Sequence, residues 1–290
     1  MNIINKIVLL SIFLLYLCIT PANSLENGVN LMPSYYNNGD VTFGWDLMKQ
    51  YPAIKTVRIE IEPDKATQAA TWINQAVKNG YEVIATYHKY TVLGSDDVNE
   101  LKNAAIWWTQ NYNSLISAGS FTINLMNEWG SHNQNPQSYA SAYNEAIAIL
   151  RKVYQGYVII DVAGWGQETT VAAKASSLLS DPKIIFSAHI YPQGWNQGAG
   201  HHSQASDMDE MKNSGRRCII GEYGTKGDGP VDVINVVKHA KSIGFEAVLA
   251  WAWNGDGGDM NMVSPKWAEN AKASSYNKNS YFCDVYAALV

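Results

Sequence analysis

Phe121-Thr122-Ile123-Asn124-Leu125-Met126-Asn127-Glu128-Trp129-Gly130 and Cys218-Ile219-Ile220-Gly221-Glu222-Tyr223-Gly224 share one design: a short apolar run that closes on a glutamate and soon meets glycine. The apolar residues ask for a core and the residues after them for a turn, so each carboxylate falls where a buried strand ends. Ordinary surface charge does not explain that placement. Two such sites in one chain point to paired carboxylate chemistry.

Outward from these two stretches the same punctuation recurs. Strands are predicted over Gly28–Met32, Thr56–Ile61, Glu82–Tyr87, Phe121–Asn127, Tyr157–Ala163, Ile184–Tyr191, Cys218–Glu222 and Ala247–Trp253. Apolar residues at helical spacing predict helices over Ala66–Lys78, Val98–Ser117, Pro136–Val153, Val171–Ser180, Ala205–Asn213 and Val231–Ile243. Eight alternating units over residues 25–290 predict an α/β fold, a single-domain (β/α)8 TIM barrel, whose usual size is about 250 residues. An open doubly wound sheet is the competing architecture. It lacks the glycine-rich phosphate loop expected after the first strand.

The first 24 residues have the pattern of an export signal: Lys6, an apolar stretch from Ile7 to Leu17, and a small-residue site at Ala22-Asn23-Ser24. The apolar stretch is shorter than the roughly 20 residues that span a bilayer. The expectation is a secreted, extracellular protein whose mature form, residues 25–290, has no membrane partner and acts as a monomer. Cleavage removes Cys18 and leaves Cys218 and Cys283, which either join as a disulfide or stand as two free thiols. A formal charge of −5 argues against nucleic acid as a partner. Ten Trp and seventeen Tyr against six Phe favour rings with a polar handle, some of them facing a ligand.

In a (β/α)8 barrel the chemistry collects at the C-terminal ends of the strands. Those ends deliver Arg58 and Glu60, then His88, then Asn127-Glu128-Trp129, then Asp161 and Gly164-Trp165-Gly166-Gln167. His189 and Tyr191, Glu222, and finally Trp251 and Trp253 complete the circuit. Each alone has a packing explanation: an internal ion pair, a core histidine bonded to backbone, a tryptophan filling space. Packing needs would scatter them along the strands, and their coincidence at strand ends favours a site.

Two acids across an aromatic mouth suit glycosidic bond cleavage, where one protonates the leaving oxygen while the other attacks the anomeric carbon or activates water. No metal and no organic cofactor is required. His201-His202 lacks a third ligand at useful spacing, and Asp256-Gly257-Gly258-Asp259 is expected to be a turn and not a calcium loop.

Asn127-Glu128 on the fourth strand, His189-Ile190-Tyr191 on the sixth, Gly221-Glu222-Tyr223-Gly224 on the seventh and Trp251 on the eighth resemble glycoside hydrolase family 5 of clan A. Asn127-Glu128-Trp129-Gly130, Asp161-Val162-Ala163-Gly164-Trp165-Gly166-Gln167, Phe186-Ser187-Ala188-His189-Ile190-Tyr191 and Leu249-Ala250-Trp251-Ala252-Trp253 are similar to bacterial-type endo-β-1,4-mannanases. The resemblance runs from the first strand to about Trp267 and fades beyond it.

The resemblance implies a retaining double displacement with Glu222 as nucleophile and Glu128 as general acid/base. It implies that Asn127 holds the sugar 2-hydroxyl, Tyr191 steers the nucleophile and Arg58 keeps it ionised. His88 and His189 would bind hydroxyls or tune the carboxylates, Trp251 would floor the reacting subsite, and Trp129, Trp165, Trp195 and Trp253 would contact substrate nearby. The implied partner is a polysaccharide, β-mannan or a mixed mannan such as galactomannan or glucomannan. The rivals are an endo-β-1,4-glucanase of the same family and a catalytically inert carbohydrate-binding barrel.

Overall fold

The computed structural model describes residues 25–290; the export signal expected over residues 1–24 lies outside the described residues. Eight parallel strands close into a barrel: β1 (Gly28–Leu31), β2 (Thr56–Ile61), β3 (Glu82–Tyr87), β4 (Thr122–Asn124), β5 (Val158–Asp161), β6 (Ile184–Ile190), β7 (Arg217–Tyr223) and β8 (Val248–Asn254). The seam pairs β8 with β1, with Gly28 opposite Leu249 and Val29 opposite Ala250. Nearly every strand residue is buried, as expected when side chains fill the barrel on one face and meet helices on the other. This is the (β/α)8 barrel expected from the alternation of elements.

The outer layer comprises the short α1 (Trp45–Met48), then α2 (Ala66–Lys78), α3 (Val98–Ala118), α4 (Pro136–Leu150), α5 (Thr169–Ala175), α6 (Ala205–Asn213), α7 (Val233–Ser242) and α8 (Ser280–Leu289). Local chemistry fixes their starts. Asp97 caps α3 by accepting from Asn99 N–H, and Asn135 caps α4 by accepting from Gln137 and Ser138 N–H ahead of Pro136. α5 is shorter than its apolar pattern and passes into a 3-10 turn at Ser176–Leu178.

β4 is also shorter than expected. Past Asn124 the amides still bond to the flanking strands, Leu125 N–H to Ile159 O on β5 and Asn127 N–H to Tyr87 O on β3, which carries Asn127 and Glu128 to the mouth. A register shift between Ala188 and His189 on β6 skips Gly221 on β7 and sets His189 opposite Glu222. A Cβ at Gly221 would come within 2.2 Å of Ser187 Oγ, so only glycine lets the two strands approach there. The irregularity re-aims Glu222 at the barrel mouth.

Helix α8 lies beyond the reach of the family resemblance, although Tyr281, Phe282, Val285, Ala288 and Leu289 form its buried stripe at helical spacing. Tyr281 Oη donates to Trp251 O at 2.5 Å and Tyr223 Oη donates to Val285 O at 2.8 Å, fastening the helix to β8 and β7. Cys218 and Cys283 do not pair. Cys218 is buried on β7 and Cys283 is exposed on the outer side of α8, so both are free thiols. Burial pushes the Cys218 thiol up to about 12. No helix among the described residues is long and apolar enough to cross a membrane.

Two tryptophans expected at the substrate belong to packing. Trp253 is fully buried and donates Nε1–H to Phe43 O at 2.7 Å. Trp129 is fully buried, donates to Asp97 O at 3.0 Å and meets Tyr143 edge-on. Both follow a strand-end motif, but their rings turn outward into the helix layer. Trp253→Ala is expected to cost about 3–5 kcal/mol of stability, read as a lowered midpoint in urea unfolding followed by circular dichroism.

Candidate active site

The site is assembled around a cation. Arg58 projects from β2 into the barrel with no exposed surface. Its Nη1 donates to Asn30 Oδ1 at 2.9 Å, Glu60 Oε1 at 3.0 Å and Glu222 Oε1 at 2.8 Å. Its Nε donates to Asn124 Oδ1 at 3.0 Å and its Nη2 to Asn127 Oδ1 at 2.5 Å. Asp161 Oδ2 lies 3.6 Å from Nη2. A buried guanidinium is tolerated because its fork is filled by fixed acceptors.

Glu222 accepts from Arg58 on Oε1 and from Tyr191 Oη on Oε2 at 2.7 Å. Burial alone would raise its pKa, but the charges of His189 and Arg58 and the Tyr191 hydrogen bond hold it below the usual carboxylate value. Glu128 differs. Burial raises its pKa, the charge of Glu222 adds to that, and the His189 hydrogen bond opposes it without cancelling it. The two carboxyls are therefore pushed apart, one toward the anion and one toward the acid.

Glu128 sits on left-handed backbone, at φ 50°. Such a conformation costs about 1–3 kcal/mol and persists only where the surroundings over-determine it. Here Asp161 Oδ2 accepts Glu128 N–H at 3.0 Å and Gly94 N–H donates to Glu128 O at 2.8 Å. Its side chain meets His189 Nδ1 at 2.9 Å, and the same nitrogen lies 3.5 Å from Glu222 Oε1. His189 Nε2 faces Asp161 Oδ2 at 3.5 Å, an ion-pair distance longer than a good hydrogen bond. Burial would lower the His189 pKa, but the charges of Glu222 and Asp161 raise it well above its ordinary value, which favours the protonated ring.

One oxygen of Glu128, one of Glu222 and a nitrogen of His189 all lie within 4.8 Å of one another. These are metal-ligand atom types. Both oxygens of Glu222 already accept from protein donors, and a guanidinium 2.8 Å away repels a further cation, so the trio fits proton chemistry better than metal binding.

The glutamates open into a cleft of about 560 Å³ with His88, Asn127, Tyr191 and Trp251 on its walls. Trp251 is fixed by Nε1–H donating to Asp256 Oδ1 at 3.0 Å, and its peptide bond to Ala252 is cis. A hollow of about 610 Å³ between Asp40 and Tyr276 is slightly larger but contains neither glutamate. The acid pair decides which is the site. His88 is buried, with Nδ1 at 3.1 Å from Glu62 and Nε2 at 3.4 Å from Glu60. Trp165 is exposed beside His132, again on left-handed backbone, and Trp195 is half-buried against His202; neither lines this cleft.

Asn30 and Asn124, which complete the cradle of Arg58, were absent from the sequence expectation. Their signal was a lone amide inside an apolar strand. Tyr35, Glu62 and Tyr90 also stand at the cleft or behind it, on loops without any motif to mark them, and Asp256, read from sequence only as part of a turn, holds Trp251.

The sequence profile described as cellulase, glycosyl hydrolase family 5, matches residues 41–257. The chain belongs to glycosyl hydrolase family 5. As a family 5 member it is a glycoside hydrolase, which sets aside an inert barrel. No curated protein matches it. Its fold is similar to that of the mannanase catalytic domain from Streptomyces sp. SirexAA-E, with 21% identity, TM-score 0.71, and coverage of 91% of this chain and 84% of that one. It is similar to the β-mannanase of Streptomyces thermolilacinus at 19% identity and TM-score 0.72, covering 91% and 89%. Cel5A of Thermotoga maritima in complex with mannotriose overlays at 21% identity and TM-score 0.63, covering 92% and 97%.

Asp161 gives the family 5 site a measurable acid limit. Burial would raise its pKa, but His189, Arg58 and the Glu128 amide hold it at about 2, against 3.8 for a free side chain. A depressed carboxyl contributes stability that is complete above its unfolded pKa and is lost as pH falls through the folded one. Between about pH 4 and pH 2 the native protein should lose about 2 kcal/mol more stability than Asp161→Asn. Urea unfolding at stepped pH measures the difference.

Proposed function

We propose that this protein is a retaining endo-β-1,4-mannanase that cleaves internal linkages of mannan, galactomannan or glucomannan. The observation that carries the reading is the approach of Glu128 and Glu222 to within 4.8 Å, oxygen to oxygen. Retaining glycosidases hold their carboxyls about 5–5.5 Å apart, whereas inverting ones leave about 6.5–9.5 Å for a water between them.

Glu222, ionised and held by Arg58 and Tyr191, attacks the anomeric carbon. Glu128, protonated, delivers its proton to the leaving oxygen as the glycosidic bond breaks. The bond between Glu222 and the sugar is then cleaved by a water whose proton returns to Glu128, restoring both groups. The His189 cation beside both carboxyls stabilises negative charge on whichever is ionised. Asn127 gives its Oδ1 to Arg58, which leaves its amide N–H groups for the sugar 2-hydroxyl. Trp251 offers a ring to the apolar face of the same sugar.

Mannan is favoured over glucan by the motif resemblance and supported by the mannanases among the structures of similar fold. The alternative, an endo-β-1,4-glucanase, is supported by the cellulase description of the family and by the Cel5A structure in complex with cellobiose. Assayed in parallel for reducing ends, mannan is expected to be hydrolysed and carboxymethylcellulose to be left intact; the reverse result would replace the mannanase with the glucanase.

Glu222→Ala should abolish turnover of every substrate. Glu128→Ala should lose activity on polymer by about 10²–10⁴-fold while still cleaving dinitrophenyl glycosides, whose leaving group needs no proton. A Glu128 variant equally inactive on both would contradict the acid role. We also propose export directed by residues 1–24, on the sequence pattern alone. N-terminal sequencing of protein recovered from culture medium should then begin near Leu25.

A further inference from the structure

Arg58 Nη1 has more acceptors than hydrogens. A terminal guanidinium nitrogen carries two hydrogens, yet Asn30 Oδ1 at 2.9 Å, Glu60 Oε1 at 3.0 Å and Glu222 Oε1 at 2.8 Å all stand within reach of it. The Asn30 amide is neutral at every pH. The two carboxyls compete for what remains, and the proton on Glu60 decides how strongly, because a carboxylate is a far better acceptor for a guanidinium than a carboxylic acid is. Glu222 is the nucleophile of the proposed reaction, so the state of Glu60 bears on it directly.

The surroundings of Glu60 suit a carboxyl that keeps its proton. It is buried on β2, and its Oε2 has no hydrogen-bond partner among the described residues. A buried anion with a bare oxygen is costly, which favours the acid. Facing Oε2 at 3.4 Å is His88 Nε2. The other nitrogen of that ring, Nδ1, stands 3.1 Å from Glu62 Oε1 and 2.7 Å from Tyr35 Oη. Hydrogen bonds hold Glu62 below the usual carboxylate range, so it has no hydrogen to give and the ring carries one on Nδ1. Nε2 is then the nitrogen that gains or loses a proton, and Glu60 and His88 titrate as a pair.

Charge reaches Glu60 from several elements: Arg58 on its own strand, His88 just after β3, Glu128 after β4 and Glu222 on β7. Tyr35, in the turn after β1, also feels its charge, while Thr86, its neighbour across the ladder on β3, is neutral. Burial raises the Glu60 pKa, Glu222 and Glu128 add to that, and His88 and Arg58 oppose it, leaving the group at about 7. Below that pH it is the acid and above it the anion.

We infer that Glu60 is a positioning residue for the nucleophile, acting through Arg58: as the acid it leaves Nη1 to Glu222, and as the anion it draws the guanidinium toward itself and slackens the hold on Glu222. This rests on the proposed glycosidase mechanism and adds to it a third carboxyl, one that the motifs shared with family 5 do not include.

The test first removes the catalytic acid, so that its titration is not mistaken for that of Glu60. In Glu128→Ala, cleavage of dinitrophenyl β-mannobioside and β-cellobioside needs no proton donor, and kcat/KM reports attack by Glu222. Between about pH 6 and about pH 8, either side of Glu60, kcat/KM should fall about tenfold and then level off, the size of one charge-assisted hydrogen bond. With Glu60→Gln added, the profile should stay level over that range, because glutamine does not ionise. A merely structural Glu60 would instead scale both ends of the profile alike. Carbon-13 NMR of Glu128→Ala labelled at the glutamate carboxyl carbons gives a second reading that does not depend on the Gln variant: one signal should titrate near pH 7. A level profile or no such signal in Glu128→Ala, or an undiminished fall once Glu60→Gln is added, overturns the inference. No hydrolysis of either glycoside by the native protein would instead strike the glycosidase mechanism itself.

Discussion

A single guanidinium, sealed in the middle of the barrel, is the constraint to which the remaining features answer. Removing an ion from water costs several kcal/mol even after relaxation, so Arg58 is stable only with its acceptors complete. Those acceptors are Asn30, Glu60, Asn124, Asn127 and Glu222, contributed by β1, β2, β4, the segment after β4, and β7. The barrel brings these strands into one ring, and the cation in turn decides which carboxyl is ionised. Fold and chemistry therefore meet in one side chain.

The asymmetry between the two glutamates follows from their second contacts. Glu222 faces Arg58 and Tyr191, both of which favour its charge. Among the described residues the Glu128 side chain has only His189, and it stands beside an anion. The backbone supports the same division. Glycine at position 221 lets β7 slip and turn Glu222 inward, whereas Glu128 is held on left-handed backbone by Asp161 and Gly94. One acid is aimed by an irregular strand pairing and the other by a strained residue.

Sequence reasoning succeeded where the physics is local and repetitive. Parallel strands buried on both faces appear as short apolar runs, so all eight were legible, and helices α2 and α6 match their expected bounds. The family motifs brought Glu128, Glu222, Arg58, Asn127, His189, Tyr191 and Trp251 to one place. Trp129 and Trp253 misled because a strand end does not reveal whether a ring turns into the mouth or out to the helices. Asn30 and Asn124 were missed because a single amide in an apolar run has no period. The sequence left Cys218 and Cys283 open between a disulfide and two free thiols, and the fold leaves both free, with Cys218 buried on a strand and Cys283 exposed on a helix outside the recognised motif. Loop residues such as Tyr35 and Glu62 become meaningful only once the fold brings them together.

The order in which the acceptors of Arg58 leave the ribosome has a consequence of its own. Asn30 precedes it, Asn124 and Asn127 follow within seventy residues, but Glu222 is 164 positions away. A half-barrel that stopped before β7 would enclose a guanidinium with Glu60 and Asp161 near it but without the Glu222 carboxylate that fills its fork at 2.8 Å, and burying it with that acceptor missing would be unfavourable. Partly built barrels are thereby discouraged from settling, and the chain gains cooperativity from the same charge that serves its chemistry.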